Sequence, residues 1–367
     1  MSKTTLDRFN SFLLATLLTI AILYFGQNYL IPIFIAALLS MLLLPICEAL
    51  EKLGTPPKGA ITISVMLALT GLTGLLILMT NQITNLVNDL PELRRGAAER
   101  IQEIQILVED AFNISYDDQS QYVNEIISDV VDSIGLYARN LIITTTSYFA
   151  IIMIIMVYIF LFLLYRNKFV NFILKLAPPE NHRNVSRIIN KTTKVAHSYL
   201  GGVLTVVLIL AILNTTGLLI IGVRHAVFFG LLAAILNIIP YVGTIIGSII
   251  PVIFAFFTNS ILTAVAVAIL FTVIQLIESY LLTPNITGSR IKINPLATIM
   301  ALLAGGAIWG IAGMVLFIPL LGILRVLFEN LEGMQPYAYL IRDEQIPDNG
   351  NFWTRMKIFF KREGKIK

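Results

Sequence analysis

Glu278 is the residue of this chain whose type and setting most demand chemistry. It is the one acid deep in an apolar block, residues 226–330, with no charged residue near enough in sequence to neutralise it. A carboxylate in hydrocarbon costs about 2.5 kcal/mol or more, so it normally faces a cavity, a partner or a proton pathway. Asn237 and Gln275 are polar neighbours in the same block, and the block is broken at Pro240, at Gly243 and at Gly305-Gly306. Broken helices at the middle of a bilayer free backbone amides and carbonyls, and secondary transporters build substrate sites from them. This spacing predicts a site between the Pro240 and Gly305-Gly306 breaks. Glu278 would be its ligand or coupling carboxylate, with Asn237 and Gln275 as hydrogen-bonding neighbours.

Each of these residues also has a plainer reading. Glu278 could be a neutral acid hydrogen-bonded to a neighbouring helix, and Asn214, Asn237 and Gln275 could be interhelical hydrogen-bond glue, typically worth about 0.6 kcal/mol each. The pairs Gly243/Gly247 and Gly306/Gly310 have the four-residue spacing that lets helices approach closely. Arg325 is a possible charge partner for Glu278 or Glu329, or it snorkels to an interface.

Such residues need elements that hold them in lipid. Of 367 residues, 57% are apolar and 13% charged, against about 25% charged in soluble domains. Several apolar stretches exceed the ~18 residues that cross a bilayer, so the chain reads as an all-α, polytopic membrane protein with about eight apolar segments. They fall near 9–26, 29–47, 60–80, 141–165, 199–222, 226–257, 261–282 and 296–330. Lys3 and Arg8 precede the first, which runs on without a cleavage signal and reads as a retained helix.

Two polar stretches orient these helices. Residues 81–140 carry eleven acids and four arginines, whereas 166–198 carry seven bases and one acid, Glu180. Positive charge stays cytoplasmic, which puts 166–198 and both termini inside and 81–140 outside. Both stretches have amphipathic stripes. In 81–140 the stripe suits a self-packed extracytoplasmic hairpin, an oligomer contact or a lid. In 166–198, Val185, Ile188, Ile189, Val195 and Tyr199 suit a cytoplasmic helix at the inner interface beside anionic lipid. The basic, aromatic tail 331–367 reads as a second membrane-surface anchor and not as a nucleic-acid site.

As straight helices, 226–257 and 296–330 would be about 48 and 52 Å long, against a hydrocarbon core of about 30 Å. Either both are kinked spanning helices, giving eight crossings with 283–295 outside, or both are re-entrant hairpins, giving six crossings with 283–295 inside. The domain organisation follows as 1–80 for the first three helices, 81–140 for the acidic insert, 141–222 for two more helices, 226–330 for the broken-helix transport core, and 331–367 for the tail.

The ordered set Ile239-Pro240-Tyr241-Val242-Gly243, Pro251, Gln275-Leu276-Ile277-Glu278, Pro284, Gly288, Asn294-Pro295-Leu296, Gly305-Gly306, Gly310, Gly313 and Ile318-Pro319 resembles the AI-2E (autoinducer-2 exporter) family of permeases, over nearly the whole chain. The resemblance implies a bacterial inner-membrane protein that exports a small polar signal. Other members look like sodium or lithium/proton antiporters, which would make the ligand a monovalent cation or proton. A homo-oligomer is expected, and a non-transporting scaffold is the alternative from another class.

An enzyme is not expected. The sequence has no phosphate-binding Gly-x-x-x-x-Gly-Lys loop, no zinc motif, no serine elbow and no aspartate in its apolar segments. Cys47 is the lone cysteine, and three scattered histidines lack metal-ligand spacing, so no cofactor or metal is expected.

Overall fold

Apolar segments without the period-two alternation of a β-barrel leave the backbone one way to satisfy its polar groups in lipid, and that is the helix. The computed structural model describes residues 5–92, isolated positions between 94 and 136, and residues 149–240, 242–288 and 292–343. Among them the only β pairing is a single bridge, Ile293 to Arg342. Most of the acidic insert, Tyr241, Arg290 and residues 344–367 lie outside the described residues.

The helices are α1 (Thr5–Phe25), α2 (Gln27–Lys52), α3 (Pro57–Asn88), α4 (Phe149–Leu164), α5 (Arg166–Leu176), α6 (His182–Ile221), α7 (Ala226–Leu236), α8 (Val242–Thr258) and α9 (Ile261–Ile277). A π-helix (Glu278–Gly288) continues α9, and α10 (Pro295–Asn330) and α11 (Gln335–Ile341) follow. By length and composition alone α2, α3, α6, α9 with its π-helix, and α10 could each cross a membrane, and α4 with α5, bent by 61°, makes a sixth if the pair is one span; α1 is a shorter apolar helix. Their outer faces carry exposed Phe, Leu and Ile, the surface that lipid would solvate. The chain is an all-α polytopic membrane protein.

Two corrections to the sequence reading concern helix extent. Third-helix residues continue to Asn88, well beyond position 80. Residues 182–198 do not form a separate surface helix, because they run without a break into the next span as the 40-residue α6, about 60 Å long. Its stripe lies against the protein itself: Ile188 is buried, Val185, Ile189, Val195 and Tyr199 are half-buried, and the adjoining Ala196 packs with Leu38, Trp309 and Leu316. Of the two readings open for 226–257 and 296–330, kinked helix or hairpin, the structure has the hairpin, since each segment doubles back on itself.

In the first of these segments, α7 and α8 are antiparallel arms around a turn that begins at 237–240. A Cβ on Gly243 would overlap the Leu236 carbonyl, and one on Gly247 would stand 2.9 Å from Ala233 Cα. The ring centroids of Phe229 and Phe254 lie 4.7 Å apart across the arms. In the second, Trp309 (φ −125°, ψ 15°) and Gly310 (φ 58°, ψ −139°) leave helical geometry in the middle of α10. Cβ atoms on Gly305 and Gly313 would each overlap the other's carbonyl. Positions eight apart in a straight helix are separated by about 12 Å, so the chain reverses at Trp309-Gly310. The positive φ of Gly310 suits glycine alone.

Chain-distant contacts then sort the molecule into two ends. At one end, Arg224 pairs with Glu92 at 2.6 Å, His225 sits 3.1 Å from Asp89, and Asn259 reaches the Gly222 carbonyl. The Arg224 guanidinium holds the exposed Glu92 carboxyl below its usual range. At the other, Arg166 grips both Glu51 oxygens at 2.6 and 2.8 Å and contacts Cys47, and Lys191 donates to Asn330. The 292–294 link pairs with 341–343 through Asn294 N to Ile341 O and Asp343 N to Lys292 O. The first hairpin leaves and returns to the Arg224 end, so α9 and the π-helix carry the chain to the other.

Two large cores hold most of these parts, beside the smaller one around Trp309. Ala36, Leu43 and Cys47 of α2 pack with Ala60, Ile61 and Val65 of α3 and with Met156, Ile159 and Leu163 of α4. A second core joins Leu218 of α6, Phe228, Phe229 and Ala233 of α7, Phe254 and Ala255 of α8, and Ala264, Val267 and Phe271 of α9.

Candidate functional site

Glu278 stands where α9 passes into the π-helix. Long π-helical runs are rare, and short ones recur at functional sites because the widened turn re-aims side chains. Here the turn faces the tip of the first hairpin. Asn237 ends α7 there, and its Nδ2 donates to Glu278 Oε1 at 2.6 Å. Thr244 in the first turn of α8 donates from Oγ1 to Asn237 Oδ1 at 2.8 Å. The amide of Asn237 is therefore used at both ends, in a chain Thr244 to Asn237 to Glu278. Gln275, one turn before Glu278, donates to Ser279 Oγ at 3.2 Å.

This chain forms a wall between two cavities. One, of about 620 Å³, is lined by apolar residues of α6 such as Val203 and Val207, by Tyr199, Pro240, Ser279, Thr283 and Thr298, and by Lys292. The other, of about 470 Å³, extends along α8 and α9 past Gly247, Ser248 and Thr272 to Asn214. Asn237, Thr244, Ile245, Gln275 and Glu278 border both. Asn214 is 3% exposed and its Oδ1 has no partner among the described residues, so the second cavity contains an acceptor free for a water or solute. Volumes of a few hundred Å³, apolar walls and a few convergent polar groups are the usual make-up of a small-molecule site.

The structure brings together Glu278, Asn237, Gln275 and Pro240, as the spacing predicts. Gly243 supports them from behind by letting the hairpin turn close. Gly305 and Gly306 are not brought there: they line neither cavity and serve the contact between the arms of α10, because their missing Cβ atoms are needed where Gly313 and Met314 press against them. The second hairpin reaches the site through Thr298 and Ile318 instead. Arg325 does not pair with Glu278 or snorkel; it is buried and bonds Glu329 Oε1 at 2.7 Å. Thr244, Ser279 and Lys292 escaped the sequence reading. Thr244, next to the Gly243 of the break, could have been found as the polar residue nearest the turn.

A third cavity, of about 290 Å³, lies at the other end of α7, among Asp89, Glu92, Arg95, Glu99, Arg224 and His225. Among the described residues no group of His, Cys, Asp and Glu is arranged to hold a metal ion.

Comparison with known proteins places this architecture. The profile of a family described as AI-2E family transporter matches residues 13–333. The chain is 28% identical to Putative transport protein YueF of Bacillus subtilis (strain 168), over 82% of this chain and 83% of that protein. It is 24% identical to AI-2 transport protein TqsA of Escherichia coli (strain K12), over 87% of this chain and 91% of that one. With Putative transport protein YhhT of the same strain the identity is 22%, over 89% and 92%.

Proposed function

Because this chain belongs to the AI-2E family of membrane transporters, we propose that it exports a small polar solute, an autoinducer-2-like signal, through the two cavities that meet at Glu278. The observation that carries this reading is the wall of Thr244, Asn237 and Glu278 common to both cavities. A solute exchanging its own hydroxyls for those hydrogen bonds could pass from one cavity to the other without leaving a buried polar group unpaired. The wall joins a hairpin tip to a π-helical turn, two elements whose backbone hydrogen bonding is already irregular. It can shift without breaking a regular helix. The similarity to a protein named as an AI-2 transport protein favours this solute over others.

Purified protein in liposomes loaded with autoinducer-2 should release it faster than protein-free liposomes, by at least about tenfold, a factor that corresponds to 1.4 kcal/mol of barrier. Equal release would remove this solute from the proposal.

The membrane placement we infer is six crossings, by α1, α2, α3, α4, α6 and α9, in a bacterial cytoplasmic membrane, with both hairpins re-entrant and both termini inside. The arms of the first hairpin, 11 and 17 residues, are about 16 and 26 Å long, short of a ~30 Å core. This placement puts the bases of 166–198 and Lys292 on one side, as the charge rule prefers. A cysteine at Asn285, in a Cys47→Ser background, should react with an impermeant thiol reagent from the cytoplasmic side only. Labelling from outside would restore eight crossings.

A further inference from the structure

Lys292 is the only other charged residue on the wall of the larger cavity. Neither Lys292 nor Glu278 makes an ion pair with a described residue. The backbone of Lys292 is left-handed, φ 49°, which is uncommon for a residue with a long side chain. That conformation is fixed from behind. Lys292 O accepts from Asp343 N at 3.0 Å, and the next residues are tied by the Ile293–Arg342 bridge and by Asn294 Nδ2 to Leu340 O at 2.7 Å. A strained backbone held by several neighbours is a reason to look for function in the side chain it presents. Here the side chain is a flexible four-carbon stem ending in a compact charge, in a cavity whose other polar lining is hydroxyl and amide.

We propose that Lys292 is the counter-charge of the Glu278 site. In one state of the carrier the Lys292 stem brings its ammonium across the cavity to the Glu278 carboxylate, a contact not made in the conformation described above, and a solute displaces it by giving Glu278 a donor and Lys292 an acceptor. The site therefore selects neutral or zwitterionic molecules that carry both groups, and rejects bare monovalent ions, which could satisfy only one. The choice of solute rests on the transport reading above, whereas the charge pairing does not.

The pairing is tested without any solute. Purified protein is treated with a small water-soluble amine-acylating reagent, and labelling of Lys292 is read by peptide mass spectrometry against the exposed Lys58. Glu278→Gln should raise Lys292 labelling several-fold relative to Lys58, and Glu278→Asp, which keeps the charge, should leave it near the parent's. Unchanged labelling in Glu278→Gln overturns the pairing. An equal rise in both variants also overturns it, since loosening and not charge would then be the cause. If labelling follows the expected pattern but autoinducer-2 is not released from liposomes, the pairing stands and the proposed solute fails.

Discussion

Glu278→Gln should lower solute release to the level of protein-free liposomes while leaving the yield of folded protein unchanged. The amide has the shape of the acid, and its Oε1 can still accept from Asn237 Nδ2 as the carboxylate does at 2.6 Å. What the substitution removes is the charge and the exchangeable proton. If export needs either, release falls at least tenfold, the rate equivalent of one 1.4 kcal/mol interaction lost from the transition between cavities. Asn237→Ala should be harmful for a different reason. It deprives Glu278 of its donor and Thr244 of its acceptor together, and a buried polar group left unpaired costs about 1–3 kcal/mol. That variant should lose stability as well as transport. Transport by Glu278→Gln equal to the parent's at every pH tested would make the carboxyl a structural group and the proposed role wrong.

Gly313→Val should be the most destabilising single change in the second hairpin. A Cβ at Gly313 would overlap the Gly305 carbonyl and stand 2.9 Å from Trp309 Cβ. The first of these is backbone on the opposing arm, which cannot retreat without opening the hairpin, and overpacking typically costs about 1–3 kcal/mol, occasionally more. Gly71→Ala is the control. Nothing lies within 4 Å of a Cβ there, and replacing a mid-helix glycine by alanine gains up to about 1 kcal/mol. The midpoint of thermal unfolding in detergent should fall clearly for Gly313→Val and stay level or rise for Gly71→Ala. Equal midpoints would mean that the arms of α10 are not in contact.

Helical class and family were legible in the sequence because lipid leaves the backbone few choices and because the Pro and Gly breaks keep their order. The breaks themselves were legible as interruptions, and Pro240 marked the Asn237 turn correctly. Their consequence was not: a glycine can free a backbone for a ligand or admit another backbone, and the same letters at Gly305-Gly306 encode the second use. The continuity of α6 was hidden for a related reason. Its two halves differ in charge, so composition divides them near Tyr199, while the helical period of apolar residues runs through without a breaker strong enough to stop it. Lys292 counted only as a topological charge, since nothing local in Arg290-Ile291-Lys292 shows that residues 341–343, some fifty positions later, would brace it against the cavity of Glu278.

Trp309 Nε1 donates to Leu23 O at 2.8 Å, a contact between residues 286 positions apart in the chain, and it has a consequence for biosynthesis. At about 5–20 residues per second, the first helix waits roughly 15–60 s before the ribosome has made the indole that docks on it. A soluble protein would expose an unpartnered apolar helix to water for that interval. In a bilayer the lipid tails solvate its side chains as well as protein would, so the earliest segment can insert at once and dock last. Chains ending before Trp309 would insert normally yet leave their amino-terminal helix held by α2 alone, a defect visible to a quality-control protease rather than to the insertion machinery.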